Sequence, residues 1–264
     1  MNLPPARAYE VAMAESRIWT AALLVIGDEI LSGRTQDKNI AQVAAWSNRQ
    51  GIRLEEVRVV PDDQQRIADA VNALRSTYDY VLTTGGIGPT HDDITVDSIA
   101  AAFGVPVVID PEARRILEAH YETRGGVTDA RLRMARVPEG AELIPNPLSG
   151  APGVKMQNVY ILAGVPSIAA NMLEALEGKL EGGRPMVSVT VGAYAAESDV
   201  ADLLRETEAA HSGVTIGSYP FFKDGRYGAN FVMRSDDGDL ATQTAMDLQR
   251  RLEDAGIEPV PGGI

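Results

Sequence analysis

The sequence predicts an α/β fold, a three-layer α/β/α arrangement around a mostly parallel sheet, followed by a small α+β module. Three observations predict it. From Thr20 short β-branched runs alternate with amphipathic stretches. The runs end in glycines or acidic residues, as parallel strands feeding crossover helices do. Around residues 177–185, EGKLEGGRP, the composition turns to glycine, charge and proline, and the order of elements changes beyond it.

Residues 20–26, TAALLVI, read as a buried strand ending at Gly27, and residues 37–51 as an amphipathic helix closed by Gly51. Residues 53–60 alternate as a strand, Pro61-Asp62-Asp63 breaks it, and residues 64–77 place Ile67, Ala70, Val71 and Leu74 on one helical face. A third strand, 79–86, runs into glycines before a helix at 94–103 and a short strand at 105–110. Residues 111–135 form one or two helices interrupted at Gly125-Gly126, and residues 141–154 form a Pro/Gly-rich loop after a short strand. The last strand of the domain, 158–167, ends with Ser167 as the N-cap of a helix over 168–177. The module continues as a strand (186–192), a helix (197–211), a hairpin (214–235) turning at Lys223-Asp224-Gly225, a helix (239–254) and a loose tail, PVPGGI. The expected organisation is an arm (1–19), a main domain (20–178) and a small domain (186–255).

The chain of 264 residues has 24 Lys and Arg against 37 Asp and Glu, a net charge of −13, which disfavours a nucleic-acid partner. Without cysteine there is neither a disulfide scaffold nor a thiolate zinc site. The apolar run Ala21 to Ile26 is far short of the roughly 20 residues that span a membrane, and residues 1–17 hold no apolar signal core. The expectation is a cytoplasmic protein without a membrane partner.

Ligands of open parallel sheets bind beyond the carboxyl ends of the strands. There lie Gly27, Asp28 and Glu29, then Asp62 and Asp63, then Thr84 with the loop TTGGIGPTHDDIT (83–95), then Gly164 to Ser167. In that loop Gly85, Gly86 and Gly88 allow close backbone approach, and the following helix points N–H groups at an anion. Asp92 and Asp93 would repel a bare phosphate, so a divalent cation bridging carboxylate and phosphate is expected. Glycines after a strand are often only a turn and an aspartate only a cap, which is the reading for Asp63. Three strand ends each supplying an acid outweigh it for the others. His91, His120 and His211 are scattered, and no G-x-S-x-G, Walker lysine or ribose-binding acid follows its motif, so serine hydrolase, P-loop and dehydrogenase chemistry lack their residues. The module's aromatics, Tyr219, Phe221, Phe222, Tyr227 and Phe231, are assigned to core packing and self-association rather than to base stacking.

GDEILSGRTQDKN (27–39), VPDD (60–63), TTGGIGPTHDDIT (83–95), NPLSGAPG (146–153) and LAGVPS (162–167) together resemble the molybdopterin-binding domain of molybdenum-cofactor biosynthesis proteins. In particular they resemble its version in the amino-terminal half of the CinA (competence/damage-inducible) family. The small domain resembles the KH-type segment that follows there. The resemblance implies a pterin or nucleotide phosphate at this strand edge, with Asp62 and Asp93 as catalytic residues and Asp28, Asp62 and Asp93 on Mg²⁺, Co²⁺ or Mn²⁺. Gly27, Asp28, Glu29, Thr84, Gly85, Gly86, Gly88, Thr90, Gly164, Pro166 and Ser167 then contact the ligand. It further implies cleavage of ADP-ribose to AMP and ribose 5-phosphate, or transfer of a nucleotidyl or pterin group, by a homo-oligomer. The alternative is a non-catalytic molybdopterin binder or a scaffold with a vestigial site. Ala163 and Ser149 depart from the commoner Pro and Thr, and the chain stops before the deamidase domain of CinA proteins, so that activity is not implied.

Overall fold

Strand β1 (Trp19–Ile26) is apolar throughout its buried length because both of its faces are covered. It is the second strand of a six-stranded sheet in a computed structural model that describes residues 17–264; residues 1–16 of the expected arm lie outside the described residues. The first unit, through Gly183, continues with α1 (Asp28–Leu31), α2 (Asn39–Arg49), β2 (Ile52–Val60), α3 (Gln64–Arg75), β3 (Tyr80–Thr84) and α4 (Thr95–Phe103). Then come β4 (Val107–Ile109), α5 (Pro111–Tyr121), α6 (Asp129–Leu132), β5 (Arg136–Pro138), β6 (Glu142–Ile144), β7 (Gly153–Met156), β8 (Val159–Leu162) and α7 (Pro166–Glu174).

The sheet order is β2-β1-β3-β8-β7-β6. Neighbours from β2 to β8 are parallel, and β7 is antiparallel to both β8 and β6, so β7 alone runs against the rest. Alternation along β1 sends Ala21, Leu23 and Val25 to one face, against Val43 and Trp46 of α2 and Met172 and Leu173 of α7. Ala22, Leu24 and Ile26 go to the other, against Ile67, Val71 and Leu74 of α3 and Ile99 of α4. These two apolar layers fix the carboxyl ends of β1, β3 and β8 side by side.

Four expectations change. The segment after β1 forms the one-turn helix α1. The strand expected at 105–110 does not join the main sheet: β4 pairs with β5 in a separate two-stranded ribbon. The Pro/Gly-rich stretch hides β7, joined to β8 by a tight turn in which Gln157 has φ +53°. Ser167 is not a cap: Pro166 takes the first position of α7, and the Val165 carbonyl accepts from the N–H groups of Ile168 and Ala169 at 3.0 and 2.9 Å.

The second unit, Arg184–Ile264, contains β9 (Val187–Ala193), α8 (Glu197–Ala210), β10 (Thr215–Lys223), β11 (Arg226–Ser235), α9 (Gly238–Asp254) and β12 (Pro259–Pro261). Its antiparallel sheet has the order β10-β11-β9-β12. The expected β-α-β-β-α order is followed by a strand where a loose tail was expected. Val260 pairs with Gly192, the Ile264 N–H donates to Asn230 Oδ1 at 2.9 Å, and Asn230 Nδ2 donates back to the Ile264 carbonyl at 3.3 Å. Phe231 is fully buried among Val191, Val200, Met233, Leu248 and Leu252. Tyr219, Phe222 and Tyr227 are instead exposed, the last two with ring centroids 4.8 Å apart near the tip of the hairpin. Among the described residues no helix is long and apolar enough to cross a membrane.

Candidate functional site

The loop after β3 is shaped by close approach. Gly85 has φ +108°, and a Cβ there would lie 2.1 Å from the Ile26 carbonyl oxygen, so no side chain fits between the ends of β1 and β3. Its N–H donates to the Leu162 carbonyl at 3.3 Å, which ties the loop to β8, and its carbonyl accepts from the Thr95 hydroxyl at 2.9 Å. The N–H groups of Gly86, Ile87 and Gly88 make no backbone hydrogen bond among the described residues. The turn beyond is closed by Asp93, whose Oδ2 accepts from the Thr90 N–H at 2.7 Å and the Thr90 hydroxyl at 2.5 Å.

Facing this loop is the segment between β8 and α7. Asn39 Nδ2 donates to the Gly164 carbonyl at 2.8 Å, and Gln42 Nε2 to the Pro166 carbonyl at 3.2 Å, so the start of α2 holds it in place. Between them opens a cleft of about 530 Å³, within the usual range for small-molecule sites. It is lined by Gly85, Gly86, Gly88 and Asp93 of the loop, by Gly164 and Pro166 of the facing segment, by the apolar Ile87, Met134, Met172 and Tyr121, and by Glu29.

A second, open cleft of about 860 Å³ is lined by Asp28, Glu29, Asp62, His91, Asp92 and Arg34. Glu29 belongs to both, its carboxylate folded back over Gly27, where a Cβ would meet it at 2.6 Å. Asp62 Oδ2 accepts from the Asp28 N–H at 3.0 Å. Burial pushes the Asp62 carboxyl above the ordinary carboxylate range; the Asp28 N–H opposes this, and the charges of Asp28, Glu29 and Asp92 add to it. A raised native pKa means that the ionised form costs folding stability above that pKa, and that the cost vanishes as pH falls towards the unfolded value. Asp62→Asn is therefore expected to raise the melting temperature at neutral pH. The gain should shrink to nothing as pH falls from the raised pKa to the ordinary aspartate range, which melting curves of both proteins between pH 3 and 8 check.

The predicted residues therefore divide. Gly85, Gly86, Gly88, Asp93, Gly164 and Pro166 come together, and Glu29 joins them to Asp28 and Asp62. Thr84 is buried below the first cleft, in a smaller cavity. Gly27 is buried with its N–H given to the Val60 carbonyl at 3.1 Å, Thr90 is exposed and bonded to Asp93, and Ser167 is exposed in the first turn of α7; these three line neither cleft. The expected metal trio is not gathered in one cleft. Asp93 lies in one cleft and closes a turn, Asp28 and Asp62 lie in the other, and among the described residues no three His, Asp or Glu side chains converge as a ligand set. Asp63 is the cap of α3 that the sequence predicts, accepting from the Arg66 N–H at 2.8 Å.

Sequence reasoning missed Asn39, Gln42 and Thr95, which hold the two loops, and the apolar wall. Thr95 sits inside the glycine motif and was available from it. Asn39 carried no signal, since a polar residue opening a helix reads as surface.

The chain has relatives among known families, proteins and structures. A family described as "Probable molybdopterin binding domain" matches residues 22–181, and one described as "FAD synthase, middle domain" matches residues 185–261. A protein of Pyrobaculum arsenaticum is 34% identical over 210 residues, covering 76% of this chain and 79% of its own. A CinA-like protein of Citrifermentans bemidjiense is 33% identical over 243 residues, and this match takes in 88% of the chain but 58% of the longer relative. Among solved structures, the protein CinA of Thermoplasma acidophilum superposes with a TM-score of 0.57 at 33% identity, over 61% of this chain and 98% of that one.

Proposed function

We propose, from the premise that this chain belongs to the molybdopterin-binding domain family, that its first unit binds a phosphorylated pterin or nucleotide in the 530 Å³ cleft. The observation that carries this reading is the Gly86–Gly88 turn, with its N–H groups unbonded to other backbone, in the lining of a cleft that also holds the apolar Met134, Met172 and Ile87. Phosphate oxygens accept from those N–H groups, and the ring lies against Ile87, Met134 and Met172. Asp93 Oδ2 is engaged by the Thr90 N–H and hydroxyl, which offset its charge beside the turn.

Binding rather than turnover is proposed because Asp28, Asp62 and Asp93 face two different clefts. The test is the melting temperature of the full chain with 6-hydroxymethylpterin pyrophosphate, AMP or ADP-ribose, each in EDTA and in Mg²⁺, Mn²⁺ or Co²⁺. A phosphorylated pterin is expected to stabilise the protein in EDTA, by about 2.7 kcal/mol at 100 times its Kd. Asp93→Ala, which releases the Thr90 turn, is expected to weaken binding roughly tenfold. No shift with any compound would remove the reading. Metal-dependent release of AMP from ADP-ribose would replace it with a pyrophosphohydrolase.

A further inference from the structure

Beside the cleft, between the carboxyl ends of β1 and β3 and the segment that leads into α2, lies a cavity of about 60 Å³. It adjoins the cleft, because Glu29, Thr35, Gly85, Gly164 and Pro166 line both. Two of its lining side chains are buried polar groups: Asn39 is 4% exposed and Thr84 is 1% exposed. Asn39 Oδ1 and Thr84 Oγ1 have no hydrogen-bond partner among the described residues. The Asn39 amide cannot turn to relieve this, because its Nδ2 is committed to the Gly164 carbonyl. Buried oxygens without a donor are costly, and their presence in one cavity calls for a partner that enters it.

The lining states the chemistry of that partner. Asn39 Oδ1 can only accept a hydrogen bond and Thr84 Oγ1 can accept or donate one, and the carboxylate-bearing Glu29 and Asp37 line the same cavity together with Gln36 and Lys38. A phosphate or a ring carbonyl could accept from the Thr84 hydroxyl but would set oxygen against oxygen at Asn39 Oδ1, whose amide nitrogen is given to Gly164. An N–H donor would be satisfied, and the volume admits one substituent and a ring edge but not a bicyclic ring. We propose that this cavity receives the exocyclic amino group of the ligand's heterocycle, and that Asn39 is the residue by which the site prefers an amino-bearing ring to its oxo counterpart, with Thr84 as the amino group's second acceptor. The inference rests on the reading that the cleft binds a pterin or nucleotide, and it orients that ligand, ring edge inward and phosphates towards Gly86–Gly88.

Three pairs of compounds test it, each differing at one amino-to-oxo position: 6-hydroxymethylpterin and 6-hydroxymethyllumazine, GMP and XMP, AMP and IMP. Calorimetric titration of the full chain in EDTA is expected to show at least about tenfold tighter binding of the amino member, and the pair with the largest ratio identifies the ring. Thr84→Ser should keep the preference, and Thr84→Val should weaken binding of the amino member and so reduce the ratio. Equal binding of the amino and oxo members of every pair by the unaltered protein overturns this inference and leaves the cleft reading standing. No binding of any member overturns both.

Discussion

Gly85→Ala is expected to destabilise the first unit by roughly 3 kcal/mol and to abolish ligand binding, the larger of the two functional losses foreseen for the glycine loop. The reason is geometric. At φ +108° an L side chain is strained, and the methyl would lie 2.1 Å from the Ile26 carbonyl oxygen, which is backbone at the end of a central strand and has nowhere to go. Relief requires β1 and β3 to part at their carboxyl ends, and that pulls on the Gly85 N–H bond to Leu162 and the Thr95 bond to the Gly85 carbonyl. Both tryptophans, Trp19 and Trp46, lie in the first unit, so their fluorescence reports this transition selectively. A fall of roughly 6–12 °C in the midpoint is expected; an unchanged midpoint would show that the loop accommodates a side chain.

Phe231→Ala should cost the second unit about 3–5 kcal/mol, the usual loss when a buried aromatic is truncated in a core that cannot close over the space. Phe231 is enclosed by strand and helix residues of its own unit, from Val191 on β9 to Leu248 and Leu252 on α9. The loss is expected as an earlier phase in circular dichroism, with the tryptophan midpoint in place. A coincident shift of both signals would mean that the units unfold together.

The layered core was legible because two-sided burial leaves a plain mark: six consecutive apolar residues in β1, and helices with one apolar stripe on either side. The glycine loop and the Asp63 cap were legible because backbone geometry there demands particular residue types. β7 and β12 were not, since each is only a few residues long and sits among prolines and glycines, where pairing comes from distant partners rather than local preference. The division of the acidic residues was likewise hidden. Position after a strand does not say which way a carboxylate turns, and Asp93 turns to its own Thr90 while Asp62 turns to the Asp28 amide. Asn39 was invisible for the opposite reason, because burial of a lone amide has no periodic pattern.

The four-stranded sheet ends on both sides in strands that carry proline, Pro220 in β10 and Pro259 and Pro261 in β12. Proline offers no N–H, so neither border presents the unbroken row of donors along which a strand from another molecule could zip. Edge-to-edge pairing is thus disfavoured at both borders of this sheet by the sequence itself. Copies of this protein that associate through the module must meet through side chains, and the exposed pair Phe222 and Tyr227 can act as a contact without opening a route to aggregation.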